Sequence, residues 1–522
     1  MDSVSYFGRF GIAVALALGS GVRADSPLDV IPADAKIVVL LNNLERTMQG
    51  TERFANAIGV PAPAQDLSQM TVFLGEIGSH WKMNRGVGIA VMEPSPDGFV
   101  SVFPMDDGPA ALKAVKPEMK GEFGAFDLQG QPVVGLAKPK HLLVSHGETA
   151  LKAFTGDKTV AASLTPMQAK LAESSAAFIY VNIQALKPMI EQGVADSEQL
   201  KRMIERMGGG NPQVNPEQIA KIVTQAVLAL SKEAKSIYFA FQIDEKAAGL
   251  KIGVEFLPES KVRSRFAAYK ATKRDLFATL PPVNFIAAFG VDVAGLANLD
   301  GTQEGPKVNG FSGAFGFDNR LASLLFRLDT PDAAAFYQPF KGGLGVGQIY
   351  AQGASQGKVE FSNSEKKIGG ADVTQTVVKI KDAKPKLQAV LKDVVGGPDV
   401  IIQHGVFGQA IGFAVGGKGD PFAALQAGGS LGASDRMRAA TAMLPANAAF
   451  ALLVDPVSFF QFAKKGAKAA GDETPIATAT VSDKPGFPMA AAISIESDGL
   501  MLHIHLPAAA VKDVAPILQQ IN

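Results

Sequence analysis

The chain has 522 residues and no cysteine, which excludes disulfides, thiol nucleophiles and thiolate metal sites. Fifty basic residues balance fifty acidic ones, and no basic cluster with interleaved aromatics occurs, which argues against a nucleic-acid partner. Apolar residues make up 47%, with 32 Phe against 6 Tyr and 1 Trp, a bias that suits buried cores better than a recognition surface.

Residues 1–24 read as a secretory signal. Arg9 supplies the positive start, residues 10–19 a short apolar run, and Val22-Arg23-Ala24 small residues where a signal peptidase reads. Cleavage is expected after Ala24; an uncleaved anchor is the alternative. The mature chain would then carry 48 basic and 49 acidic residues. No later apolar run reaches transmembrane length. The expected location is secreted or periplasmic.

Residues 31–44 set a pattern: a proline, a polar lead-in, an apolar run at 37–41, then Asn42 before an amphipathic stretch. A short apolar run bounded by turn signals predicts a buried strand, and the Asn suits a helix N-cap. The same design returns with Asn182, Asp292 and Asp455 closing the runs 178–181, 285–291 and 450–454. Each copy continues with two apolar segments around a polar turn and a proline, predicting a β-hairpin followed by a helix. The predicted fold class is therefore α+β, built of duplicated β-α-β-β-α modules in mainly antiparallel sheets, with one face covered by helices. Expected boundaries are 25–278 for a first half with modules from 31 and 170, and 279–522 for a second with modules from 279 and 443.

Between the modules, the spacing predicts strands at 124–128, 133–136 and 142–144, and a helix from Glu148. Ser145 and Glu148 fit a capping box for that helix. Residues 342–357, rich in glycine, read as a loop or hairpin tip. Residues 207–216 break two helices, and 466–488 read as a surface loop.

The candidate sites are sparse. Residues 412–419 fit the first part of a phosphate loop, but Gly419 replaces the Mg²⁺-binding hydroxyl and the interior reads as strand. The glycines at 342–347 lack a preceding parallel strand and a following acidic residue, so a dinucleotide site is not indicated. His503 and His505 share a strand face and are the one candidate metal pair, weighed against two solvent-facing histidines. Trp81 is a surface anchor or the edge of a core. The recurring Asn and Asp are accounted for by capping. No hydrolase elbow, zinc helix or paired-carboxylate motif stands out, so no catalytic or cofactor residue is assigned.

The arrangement resembles a family of uncharacterised secreted bacterial proteins, common in planctomycete-like genomes. Its members carry a signal peptide, a Leu-Pro-Ala-x-Ala lead-in and a later His-Leu-Leu-Val-Ser strand. Residues 31–35, 444–448 and 141–145 are the matching pieces. The resemblance implies no activity. The expected function is an exported, non-catalytic scaffold or binding protein of the cell envelope, with an unknown protein or apolar ligand as partner. A carrier for apolar ligands such as envelope lipids and a hydrolase with a non-local site are the alternatives.

Overall fold

The computed structural model describes residues 26–61, 74–195, 216–272, 275–297, 299, 307–318, 321–417, 420–426 and 430–521. The expected signal peptide and residues 207–215 lie outside that range. The chain divides into two compact units: Met1–Ser264 with Asp498–Met501, and Arg265–Ser497 with Leu502–Asn522.

The first unit runs β1 (Ile37–Leu41), α1 (Leu44–Ile58), β2 (Val87–Val91), β3 (Phe99–Pro104) and α2 (Gly108–Ala114). Four strands follow: β4 (Glu118–Lys120), β5 (Phe123–Leu128), β6 (Gln131–Lys138) and β7 (His141–Ser145). Then come α3 (Glu148–Lys152), α4 (Val160–Ser163), α5 (Pro166–Ser174), β8 (Ala177–Asn182), α6 (Ile183–Ala195), α7 (Pro216–Glu233), β9 (Ala234–Ile243) and β10 (Ala247–Phe256). The strands form one antiparallel sheet in the order β4-β5-β6-β7-β3-β2-β1-β8-β9-β10. The division of the chain falls within α8 (Lys261–Ala268).

The second unit runs β11 (Phe285–Val291), α9 (Val293–Ala297), β12 (Gly310–Asp318), β13 (Leu321–Asp329), α10 (Ala333–Ala354), β14 (Val359–Ile368), β15 (Ala371–Ile380) and α11 (Pro385–Val390). It continues through β16 (Val400–Phe407), β17 (Ala410–Gly416), α12 (Pro421–Gln426), α13 (Asp435–Thr441) and β18 (Ala448–Val454). It ends with α14 (Pro456–Ala470), α15 (Pro475–Thr478), β19 (Met489–Ile495), β20 (Gly499–Pro507) and α16 (Ala508–Ile521). Its strand order is β14-β15-β16-β17-β13-β12-β11-β18-β19-β20. Each strand label in the first unit has its counterpart ten numbers higher, in the same place.

The fold is α+β, and the β-α-β-β-α order occurs four times. In every copy the first strand lies beside its own hairpin. The central pairing also keeps register. Ile37 faces Val181 in the first unit, and Ala287 faces Val454 in the second. At the ends of these pairs, Asn42 N–H donates to Ala176 O and Asn182 N–H to Lys36 O. At the same steps, Asp292 N–H donates to Ala449 O and Asp455 N–H to Ile286 O.

In the first unit, helices cover both faces of the sheet rather than the one expected. Val38, Leu40, Val102, Leu143 and Phe178 pack beneath Leu151 of α3, Phe154 and Leu171 of α5. On the opposite face Leu41, Val87, Leu142 and Val144 pack beneath Leu44 of α1, Trp81 and Leu112 of α2. The reason lies in β1 itself. A run of Ile-Val-Val-Leu-Leu does not alternate, so both faces are apolar and both need cover.

Several local expectations are corrected. The prolines at 104, 258, 331 and 507, which would suit a first helical turn, all precede the first helical residue. Ser145 does not close a capping box on α3, whose N-cap is Gly147 without a side-chain bond. The Ser145 hydroxyl donates to Asp97 O instead, and accepts from the Gly147 N–H. Residues 466–488 are not one loop. Residues 466–470 finish α14, and the rest is tied down by Gln461 to Ser482 O, Lys464 to Ala479 O and Gly486 N–H to Asp455. The glycine-rich stretch from 342 is not a hairpin tip either: it is the second half of α10.

Candidate functional site

The residues closing each first strand do more than cap. Asn182 accepts from Ala185 N–H, as a cap does, and also donates to Ala33 O in the lead-in of the first module. Asn42 does not cap α1, because Asn43 does. Instead its amide donates to Ala172 O and to Ser175 O, in the lead-in of the second module. The two modules of the first unit are thus tied reciprocally. In the second unit the same positions hold buried carboxylates. Asp292 accepts from Gly295 N–H, Thr272 and Tyr269. Asp455 accepts from Val457 and Ser458 N–H, from Gly486 N–H and from Arg436 at 2.8 Å. Burial, then the Asp292 charge, pushes the Tyr269 hydroxyl far above its usual range. These four side chains tie the lead-ins, strand ends and helix starts of the modules together.

Both candidate metal-pair histidines lie on β20. His503 is buried rather than solvent-facing, and its Nε2 lies 2.9 Å from Ser494 Oγ. The Ser494 hydroxyl donates to Glu496 Oε1 at 3.1 Å, so it accepts from His503. An imidazole donating through that nitrogen is not acting as the base of a serine nucleophile, and Ser494 has no exposure. His505 lies two residues further along β20 and is half-buried. Among the described residues, no three His, Asp or Glu side chains cluster as metal ligands would.

Trp81 belongs to the core. It is buried, donates to Gly86 O at 3.1 Å and meets Phe103 edge-on at 5.8 Å. The phosphate-loop candidate begins inside β17, which runs through Gly416.

The most distinctive constellation was not singled out by sequence. One row of directly opposed residues crosses the second unit: Phe289, Gly313, Phe326, Phe413, His404, Thr374 and Glu365. Opposed residues in an antiparallel sheet project to one face. The row therefore grades from phenylalanines to an imidazole, a hydroxyl and a carboxylate. Phe311 joins the aromatic end at 5.3 Å from Phe289 and 6.1 Å from Phe326, and Phe326 lies 5.9 Å from Phe413. Gly313 makes this packing possible, since a Cβ there would come within 2.7 Å of both flanking phenylalanines. These rings are half-buried.

Helix α10 lies across the polar end of the row. Phe340 stacks edge-on over Phe413 and His404, and the Tyr337 hydroxyl sits 2.9 Å from His404 Nδ1. Thr374 donates to Glu365, which pairs with Lys341 at 2.8 Å. Burial lowers the pKa of His404 and raises that of Tyr337. The Lys341 hydrogen bond holds Glu365 below the usual carboxylate range. Tyr337, His404 and Thr374 are buried, and their hydrogen bonds anchor the helix to the sheet.

The first unit has its own buried polar cluster. Glu255 Oε2 accepts from Gln168 and Ser236, both at 3.0 Å, and Oε1 pairs with Lys235 at 2.9 Å. Three donors hold the one carboxylate, so this too is a fastener.

A shallow, open recess is lined by Leu276, Val291, Gly310, Phe311, Ser312 and Asp329, with no internal space of the size of a ligand site. No described helix is long and apolar enough to cross a membrane.

No family model and no curated protein matches the chain. The solved "Structure of crystal form I of TP0453" is similar over 47% of this chain and 98% of its own, with 8% identity and a TM-score of 0.20. At that score the likeness carries no argument.

Proposed function

We propose that the chain is an exported, non-catalytic binding or scaffold protein of the cell envelope, produced by tandem duplication and kin to the secreted bacterial family it resembles. The observation that supports this best is the phenylalanine row on the second unit. It is an apolar, half-exposed surface whose neighbouring polar groups are spent on holding a helix in place. Surfaces of that kind mark contact sites on soluble proteins.

The test is photo-crosslinking in cells, with a photoactivatable phenylalanine at Phe326 or Phe413 and a control at Lys366. The expected outcome is a discrete adduct with an envelope component from both row positions and none from the control. Equal labelling at all three positions would sink the reading. Deleting residues 1–24 should confine the chain to the cytoplasm and abolish the adducts.

Carriage of apolar ligands is the second reading, favoured by the same rings, because Phe289, Phe311 and Phe326 form a surface on which an acyl chain can lie. Native mass spectrometry of protein purified from its envelope fraction should then show a bound lipid. A bare polypeptide mass under gentle conditions would rule that version out.

A further inference from the structure

Helix α10 is turned inside out. Its sheet-facing stripe, at three- and four-residue spacing, is Ala333, Tyr337, Lys341, Leu344, Gln348 and Ala351. The contacts along it are largely polar. Lys341 pairs with Glu365, Gln348 donates to Thr376 at 3.2 Å, and Asn363 donates to Gln348 at 3.0 Å. The large apolar side chains face away, with Val346 68%, Ile349 74% and Tyr350 79% exposed. An amphipathic helix packed on a domain normally does the reverse.

Two further observations indicate what this face meets. First, residues 342–354 carry no charged side chain, yet the stretch is bracketed by Lys341 and Lys358. Segment 333–399, which contains α10, β14 and β15, has nine lysines against six carboxylates, whereas the whole chain balances at fifty each. Second, a Cβ placed at Gly342, Gly343, Gly345, Gly347 or Gly353 would meet nothing within 4 Å. Packing within this chain therefore does not require these glycines.

We propose that α10 is an interfacial helix that docks the second unit onto an anionic lipid bilayer. Val346, Ile349 and Tyr350 enter the boundary between headgroups and acyl chains. Lys358, exposed just past the end of the helix, lies at the headgroup level, where a long basic side chain reaches anionic phosphates while its stem stays in apolar surroundings. The charge favours a bilayer over a second copy of the chain, because symmetric pairing of this segment would set like charge against like charge. The uncharged stretch matches the shallow depth of an interfacial helix and does not span. This inference rests on the binding-protein reading and names its partner.

The experiment is flotation of the purified chain with phosphatidylglycerol-rich vesicles and with pure phosphatidylcholine vesicles. The chain should float with the first, weakly with the second, and less as salt rises. The triple variant Val346→Ser, Ile349→Ser, Tyr350→Ser changes exposed positions only and should bind about tenfold more weakly. Because the chain has no cysteine, Ile349→Cys and Lys366→Cys accept a polarity-sensitive dye at one place each. The dye at 349 should shift to the blue on anionic vesicles, with no shift at 366. Undiminished binding by the triple variant would overturn the proposal, as would a triple variant that merely dissociates an oligomer. A chain that ignores vesicles yet crosslinks to a protein through Phe326 or Phe413 also overturns it, and leaves the binding-protein reading intact.

Discussion

The same row of the same sheet has been given opposite character in the two units. Across the second unit it reads Phe289, Gly313, Phe326, Phe413, His404, Thr374, Glu365. Across the first it reads Val39, Ile89, Ser101, Val144, Gly135, Gly124, Met119. The first row has no aromatic or titratable side chain. The helix that follows the hairpin differs accordingly. In the first unit it is the seven-residue α2, capped by Asp107 and burying Ala111 and Leu112. In the second it is the 22-residue α10, whose N-cap position makes no side-chain bond and whose buried residues are Ala333 and Tyr337. A shared strand order therefore does not fix what a face is for. The first unit uses its face to close a core, while the second leaves apolar groups outside and holds its helix by polar contacts.

The largest effect that separates the units is expected at the strand-end position. Asp455→Ala removes a buried carboxylate and strands Arg436, and should cost about 4 kcal/mol in urea unfolding. The corresponding Asn182→Ala loses a cap and one tether, and should cost about 1 kcal/mol. Equal losses would mean that the buried charge has no special role.

Next in size is the core contrast. Leu142 and Ile411 occupy the same position on β7 and β17. Leu142→Ala leaves a cavity in the larger cluster and should cost about 3 kcal/mol. Ile411→Ala lies in the smaller cluster, where α10 can settle, and about 2 kcal/mol is expected. A larger loss at Ile411 would show that α10 is packed as firmly as α2.

A pH dependence is expected around His404 in the second unit. The unfolded chain protonates its histidine at about pH 6.5, whereas buried His404 stays neutral to lower pH. As pH falls below 6.5 the unfolded state binds more protons, so stability is lost in that window, by at most about 1.4 kcal/mol per unit. Glu365, held low by Lys341, adds its loss only below the ordinary carboxylate range. Hydrogen exchange should show faster opening of β15 and β16 at pH 5 than at pH 7, with β5 and β6 unchanged. His404→Gln should remove the difference. If β5 and β6 respond alike, the histidine is not the cause.

The smallest effect is the most telling for α10. Replacing Val346, Ile349 and Tyr350 by serine should change unfolding stability by less than about 0.5 kcal/mol, as exposed positions do. A loss of several kcal/mol would place these side chains in a core.

The framework was legible because it rests on local signals. Apolar runs bounded by prolines and turns mark strands in any context, and short hairpin turns force antiparallel neighbours. Residues 37–41, 123–128 and 141–145 fall at or within a residue or two of their expected bounds for that reason. Composition also excluded disulfides, but its phenylalanine bias did not foretell that Phe289, Phe311, Phe326 and Phe413 would lie half-exposed on one face. The rest was settled by partners distant in sequence. Five glycines between 342 and 353 argue for a loop by propensity, yet the segment is helical where Gln348 and Lys341 find Thr376 and Glu365 on β15 and β14. The phenylalanine row joins residues from 289 to 413 through strand pairing, and no window along the chain contains it. Asn42 looked like a cap because capping is local; its bonds to Ala172 and Ser175 exist only once β1 lies beside β8. Sequence by itself determined which segments bury and which turn. Tertiary structure decided which face each side chain serves, because in a sheet that is set by the register between strands far apart in the chain.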